Sequence, residues 1–463
     1  MTRAFGDDQL ERELRSVLHD RAEEIASRAH TAAEMAAVIA PRLIPAARPR
    51  RQEALLRLIA VALIVLALLI GAVLVGTRPS RPPVDLLLAI DLPLQGEPAG
   101  PPLIDAVRLA LRESHLPAGV SIDLPPAGVF DDSVDGSATP ERGAENMQRI
   151  IADPRYAAVI GPFHSFVAAA AMPIANEAGL LQCSATNTAP WLTVGDEAAS
   201  LRPRSDRPSY VRLATTDDAT ATAAARLIIG VFEKRALFVV TTVDPFAGGR
   251  SEQVVEAFEA LGGSVSGRGS IGEGGDEADV VARQVIASGA DVVLFDGLGV
   301  DGGRVIKALR AAGSSLPFVG LDIILDGPRS ATGSFLNIAG AGIDNAYGIF
   351  QAGRDPTLGP EAEAKYRDAF RRAPENFVLN GYACASVILD AIGRIDPSRL
   401  ATPADWREAI RAQVTAPGRV YRTPIGTIQF DANGDAQPQR VSIYRVDAAA
   451  GDWTFWQLLE LKD

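Results

Sequence analysis

Two short apolar runs, AVIG (158–161) and LLQCS (180–184), each end among small, hydroxyl and amide side chains. Ser165 follows the first run, just ahead of an Ala-rich stretch of helical length. Ser184, Thr186, Asn187 and Thr188 close the second. A hydroxyl at the start of a helix, beside main-chain N–H groups without intrahelical partners, makes a site for an anion. Donors on the neighbouring loop would reach the same anion from a second direction. Neutral hydroxyls and amides can hold a carboxylate in this way without a counter-charge. The same residue types also cap helices and build turns, so the local chemistry leaves both readings open.

Other constellations carry less. His164 beside Ser165 invites a catalytic dyad, but no G-x-S-x-G elbow surrounds them; His164 is read as a residue on the rim of a pocket. The four histidines, His19, His30, His115 and His164, show no metal-ligand spacing. GLGVDG (Gly297–Gly302) matches G-x-G-x-x-G between a strand and a helix, with Asp322 twenty residues further on. That is the basis for an alternative reading, a nucleotide-dependent dehydrogenase. Such fingerprints usually open a domain, however, and this one falls late. Asp431, Asn433 and Asp435 begin like a calcium loop but lack its closing Glu; a hairpin turn between TIQF and RVSIY fits better. A Walker pattern is absent. The expectation is a protein that is not an enzyme and holds no cofactor or metal.

The elements that must position these residues alternate. From 84 onward, apolar β-rich runs are separated by helical stretches, first over about 84–205 and again over about 206–349. This alternation implies right-handed βαβ crossovers and parallel sheets flanked by helices. The expected fold class is α/β, with two doubly wound parallel-sheet lobes joined by a hinge. Lobe 1 takes about 84–205 and 350–430. Lobe 2 takes about 206–349 and the C-terminal strands. In open parallel sheets ligands bind beyond the carboxyl ends of the strands, where Ser165 and the 184–188 cluster fall.

Ahead of the lobes, residues 58–77 run for 20 positions without a charge. As a helix they would span roughly 30 Å, the hydrocarbon thickness of a bilayer. The organisation expected is a cytoplasmic helical segment (1–54), a transmembrane helix (55–77), a short Pro-rich tether (78–83) and an extracytoplasmic domain (84–463). Arg42, Arg48, Arg50, Arg51 and Arg57 outnumber Arg78 and Arg81 across the span, which puts the N-terminus inside. The pattern over 7–38, with Leu10, Leu14, Val17 and Leu18 on one face, is read as a solvated helix or as a docking helix for a cytoplasmic signalling partner. The net charge is −12 and no basic stripe appears, so nucleic acid is not expected as a partner. Membrane lipid is, through the one helix. Cys183 and Cys384 both fall in the outward part, where a disulfide is permitted; two buried free thiols are the expectation.

Several stretches, taken in order, resemble the type I periplasmic binding proteins, specifically the leucine/isoleucine/valine-binding group of ABC-transporter substrate-binding proteins. LPLQGEPAG (92–100) resembles the first-lobe loop. DDSVDGSATPERGAENMQRIIAD resembles the acidic turn and helix after the second strand. AVIGPFHS and CSATNTAPWLT resemble the paired ligand loops. TTVDPFAGG resembles the second-lobe D-x-x-Y-G loop, PFVGLD the strand end bearing an acid, and FDANGD the closing hairpin. The resemblance implies that Ser165 and Thr188 bind a ligand carboxylate, with the main chain of Asn187 against the ligand; a shifted register would pass these roles to Ala185 and Thr186. It implies that Asp322 pairs with a ligand ammonium. Phe246 stands where the family has Tyr, keeping a wall but losing a hydroxyl. The function implied is capture of a small amino acid, amide or organic acid between two lobes, for an ABC permease or for sensing.

Overall fold

The computed structural model describes residues 58–67, 83–96, 99–242, 248–272, 277–341 and 343–461. The chain forms two units, 1–82 and 83–463. In the first, residues 58–67 are helical, and Leu58, Leu63, Ile64 and Leu66 are exposed. Among the described residues no helix is long and apolar enough to cross a membrane. The segment 1–54, including the helix expected over 7–38, and the second half of the expected span, 68–77, lie outside the described residues.

The second unit opens with β1 (Val84–Leu92), α1 (Gly100–Arg112), β2 (Val120–Asp123) and β3 (Val129–Asp131). The hairpin β4 (Ser133–Val134) and β5 (Ser137–Ala138) leads to α2 (Pro140–Ala152). Then come β6 (Tyr156–Ile160), α3 (Ser165–Ala178), β7 (Leu181–Ser184), α4 (Asp196–Ser200) and β8 (Tyr210–Arg212). These strands form one parallel sheet in the order β2-β1-β6-β7-β8, with β3 pairing the far end of β1. β6 is buried at every position, as befits a parallel strand covered by helices on both faces.

Lobe 2 contains α5 (Asp217–Arg226), β9 (Ala236–Thr242), α6 (Gly248–Ala260), β10 (Ser264–Ile271), α7 (Ala278–Ala287) and β11 (Val292–Asp296). It continues through α8 (Gly299–Ala311), β12 (Phe318–Gly320), α9 (Phe335–Ala339) and β13 (Ala346–Phe350). The chain then returns to lobe 1 with α10 (Leu358–Phe370), α11 (Val378–Gly393), α12 (Pro403–Val414) and a small sheet of β14 (Val420–Thr423), β15 (Gly426–Phe430) and β16 (Ala436–Gln437). It ends in lobe 2 with β17 (Gln439–Asp447) and β18 (Asp452–Leu461). The second sheet runs β10-β9-β11-β12-β13-β17-β18. Its last two strands are antiparallel.

Three expectations need correction. β8 belongs to the first sheet, so the chain leaves lobe 1 after Arg212 and not near 205. TIQF and RVSIYRV do not pair with each other. β15 turns back onto β16 through Asp431–Asp435, whereas β17 joins the other sheet, because the chain changes lobes between them. Cys183 and Cys384 are not free thiols: β7 and α11 bring their Cα atoms to 5.9 Å and they form a disulfide.

The lobes are joined by three chain crossings that hydrogen-bond to one another. The main-chain N–H of Thr215 donates to Gln351 O (2.8 Å), and its hydroxyl donates to Arg440 O. Thr216 N–H donates to the Gln439 side chain (3.0 Å), and the Ser442 hydroxyl to Ala352 O (2.8 Å). Beside this hinge lies a buried network. Arg212, fully buried, pairs with Asp435 at 2.6 Å and donates to Ala189 O (2.6 Å) and to the Thr193 hydroxyl. It ties β8 both to the loop after β7 and to the β15–β16 turn.

Candidate functional site

The first-lobe loops are built at the ends of β6 and β7. Gly161 has φ +111°, and a Cβ there would come within 2.1 Å of Asp91 O, so only glycine lets the chain turn so close to β1. Ser165 then opens α3, with His164 in extended conformation as the cap. Among the described residues, neither the hydroxyl nor the N–H of Ser165 has a hydrogen-bond partner. Ser184 organises the second loop: its hydroxyl accepts from Thr186 N–H (3.3 Å) and Asn187 N–H (2.9 Å).

The side chains of Thr186 and Asn187 face inward and not toward a ligand. The Thr186 hydroxyl donates to Phe163 O at 2.6 Å. The Asn187 amide donates to Pro162 O (3.1 Å) and Phe163 O (2.8 Å), and its carbonyl accepts from Tyr210 OH (3.0 Å). Both residues are buried and clamp the two loops together. Thr188 is partly buried, and its carbonyl accepts from Asp217 N–H (2.9 Å). His164 stacks on Phe166 (5.3 Å between ring centroids) and meets Phe163 edge-on. Burial lowers its pKa, which keeps it neutral. Phe246 lies outside the described residues.

The facing wall, from lobe 2, holds a group that sequence reading missed. Arg250, in the first turn of α6, donates to Asp322 Oδ1 at 2.7 Å and to Asp296 Oδ1 at 2.6 Å. Ser251 N–H donates to the other oxygen of Asp296 (3.1 Å). Burial works against the charge on Arg250, but Asp322, Asp296 and Asp217 outweigh it and hold the guanidinium protonated. Burial pushes Asp296 up to about 6, with Arg250 opposing. Burial raises Asp217 as well, against Arg250 and the Gln351 amide, which donates to it at 2.7 Å. A signal for Arg250 existed. A cation in the first turn of a helix opposes the macrodipole and needs carboxylates nearby, and two strand ends supply them.

The two walls meet. Thr188 of lobe 1 touches Asp217 of lobe 2. Asn376, ahead of α11, donates across to Leu325 O (2.8 Å) and Asp322 O (3.4 Å). Phe377 packs on Phe163 of lobe 1 and Phe350 of lobe 2, at 6.4 and 4.9 Å. The contacts between the lobes thus run from Thr188 and Asp217 to Asn376 beside Asp322, with Phe163, Phe377 and Phe350 in ring contact along the seam.

Two carboxylates in lobe 1 are fully buried, Asp91 near the end of β1 and Asp132 just after β3. Asp91 accepts from the Asn146 amide (2.8 Å), while neither oxygen of Asp132 has a partner among the described residues. Burial, and then Asp131, push Asp132 up to about 7; burial and Asp132 push Asp91 well above the usual range. A carboxyl with a raised folded-state pKa stabilises the fold at low pH, and that contribution falls as pH climbs from the unfolded value, about 4, through the folded one. Asp132→Asn should therefore gain about 2–3 kcal/mol relative to the parent protein between pH 5 and pH 8. Urea unfolding at the two pH values measures this, and an unchanged difference counts against it.

Two competing sites carry less. Gly299, in the dinucleotide-like loop, faces Asp326, whose carboxylate would lie 1.9 Å from an added Cβ and accepts Phe335 N–H at 2.9 Å. A carboxylate at this helix start opposes a pyrophosphate, and Asp322 is occupied by Arg250. A cavity of about 750 Å³ on lobe 1, lined by Glu113, Lys365, Tyr382, Asp390 and Arg394, has its charges already paired with each other.

Comparison with known proteins agrees with this architecture. The family described as "Periplasmic binding protein" matches residues 97–452. The Leu/Ile/Val-binding protein BraC3 of Rhizobium johnstonii is 24% identical over 371 residues, covering 79% of this chain and 92% of that protein. An amino acid binding protein of Pseudomonas aeruginosa is 22% identical over 317 residues, 68% of this chain and 78% of its own. Among solved structures, the leucine binding protein LivK of Thermotoga maritima has a TM-score of 0.62 at 20% identity, covering 81% of this chain and 98% of that one. An ABC-transporter solute binding protein of R. palustris in complex with benzoate has a TM-score of 0.59 at 19% identity, covering 82% and 98%.

Proposed function

The chain belongs to the periplasmic binding protein family, and from that premise we propose that it captures a small carboxylate-bearing solute between its lobes and delivers it to an ABC permease. The observation that carries this reading is Ser165. Its hydroxyl and N–H lack partners among the described residues, at the start of α3 just after the end of β6. A carboxylate there receives both donors and the favourable end of the helix dipole. Closure about the hinge then brings the second wall down and excludes water, which strengthens each polar contact. No bond is made or broken, so no dehydrogenase step is involved. The solutes named for similar proteins, branched-chain amino acids and benzoate, share the carboxylate.

The same reading places the two lobes outside the membrane, held by residues 58–77. The charge-free run, its helical described half and the disulfide support it.

Thermal shift of the full chain against amino acids and organic acids identifies the ligand, and calorimetry of Ser165→Ala tests the assignment. One charge-assisted hydrogen bond lost should weaken a carboxylate ligand about tenfold or more, with the ligand-free melting temperature little changed. Equal affinity in parent and variant rejects the role given to Ser165.

A further inference from the structure

We infer that Arg250 is an internal substitute for the ligand's ammonium group, so that this crevice selects carboxylates lacking an α-amine over the corresponding amino acids. The inference rests on the carboxylate-capture reading above and sharpens it.

Asp322 lies just beyond β12, where the family resemblance puts an acid that meets a ligand cation. In this protein Arg250 already fills that place, at 2.7 Å from Asp322. The guanidinium is not free to step aside. Its other nitrogen holds Asp296, which is fully buried at the end of β11 and, among the described residues, otherwise receives Ser251 N–H. Moving Arg250 away would leave that carboxylate in the interior without a counter-ion, a strongly unfavourable state.

Asp217, the third acid, offers no vacancy either. Gln351 donates to one of its oxygens at 2.7 Å, and the Arg250 guanidinium already offsets its charge. With every acid of the wall partnered from within, a ligand ammonium would be stripped of water and gain no new carboxylate in exchange. A ligand without the amine avoids that cost. The remainder of the crevice suits its apolar part, because Phe163, Phe350 and Phe377 form a continuous ring contact at the back.

The test compares matched pairs on the full chain by calorimetry: 4-methylpentanoate against L-leucine, and 3-phenylpropanoate against L-phenylalanine. The parent protein should bind the tighter desamino member at least about tenfold better than its amino acid. Arg250→Met alone can fail to fold by orphaning Asp296, so Arg250→Met/Asp296→Asn is the working variant; it frees Asp322 and removes the fully buried carboxylate together with its counter-ion. That variant should lose the preference and gain affinity for the amino acid. A parent protein that binds the amino acid as well as its desamino partner overturns the inference while leaving carboxylate capture intact. A preference that persists in the double variant removes Arg250 as its cause. Binding of none of the four compounds overturns the capture reading itself, and this inference with it.

Discussion

Arg212→Met should lower the unfolding free energy by about 3–5 kcal/mol, the usual loss when one partner of a buried ion pair is removed. Arg212 is fully buried, and so, nearly, is Asp435, which it meets at 2.6 Å. Without the guanidinium, Asp435 keeps, among the described residues, the Thr193 hydroxyl at 2.9 Å, and the carbonyl of Ala189 loses its donor. The charge pair itself is not what the fold requires. Arg212→Met/Asp435→Asn should therefore recover a large part of the loss, since replacing both members spares the desolvated charge. Urea denaturation of the four proteins in the cycle measures it. A single-variant loss below about 1 kcal/mol, the range of exposed pairs, would mean the pair is not buried in solution. Because Arg212 also fixes the loop that follows Thr188, the single variant should lose ligand affinity as well as stability.

The disulfide carries the second large effect. Cys183–Cys384 closes a ring across a separation of 201 residues, and both cysteines are buried in the core of lobe 1. Removing a cross-link that closes a long loop typically costs about 2–5 kcal/mol. Cys183→Ala/Cys384→Ala should lose that much in urea denaturation, and reductant should lower the melting temperature of the parent protein but not of the variant. Equal stability of the two proteins would show that the bond does not form. Most of lobe 2 lies within the ring, so the bond ties together the two halves of lobe 1 that the inserted lobe separates.

How far the sequence could be read depended on whether a residue's partner was local. β6 and β11, both buried throughout, announce themselves as uninterrupted apolar runs, because a parallel strand has no solvent face. Ser165 was placed at a helix start by the strand before it and the Ala-rich stretch after it. Thr186 and Asn187 were placed on the right loop, but their side chains turn toward Pro162 and Phe163, about 24 positions away in the chain. Nothing in their own neighbourhood dictates that. β17 was legible as a strand, yet its partner was not, since period-two alternation fixes a face and not a neighbour. Arg250 was overlooked for the same reason. Its two acids lie 46 and 72 positions further on, and only the sheet brings the ends of β11 and β12 beside the start of α6.

β1, the strand by which the chain enters this unit, does not lie at the rim of its sheet but between β2 and β6. Whatever grips the polypeptide ahead of Val84 therefore grips the interior of lobe 1. Lobe 2 is inserted further along and has no such purchase; it hangs from the crossings at Thr215, Gln351 and Arg440. Held by the chain ahead of Val84, lobe 1 would be the fixed frame and lobe 2 the part free to swing about those crossings.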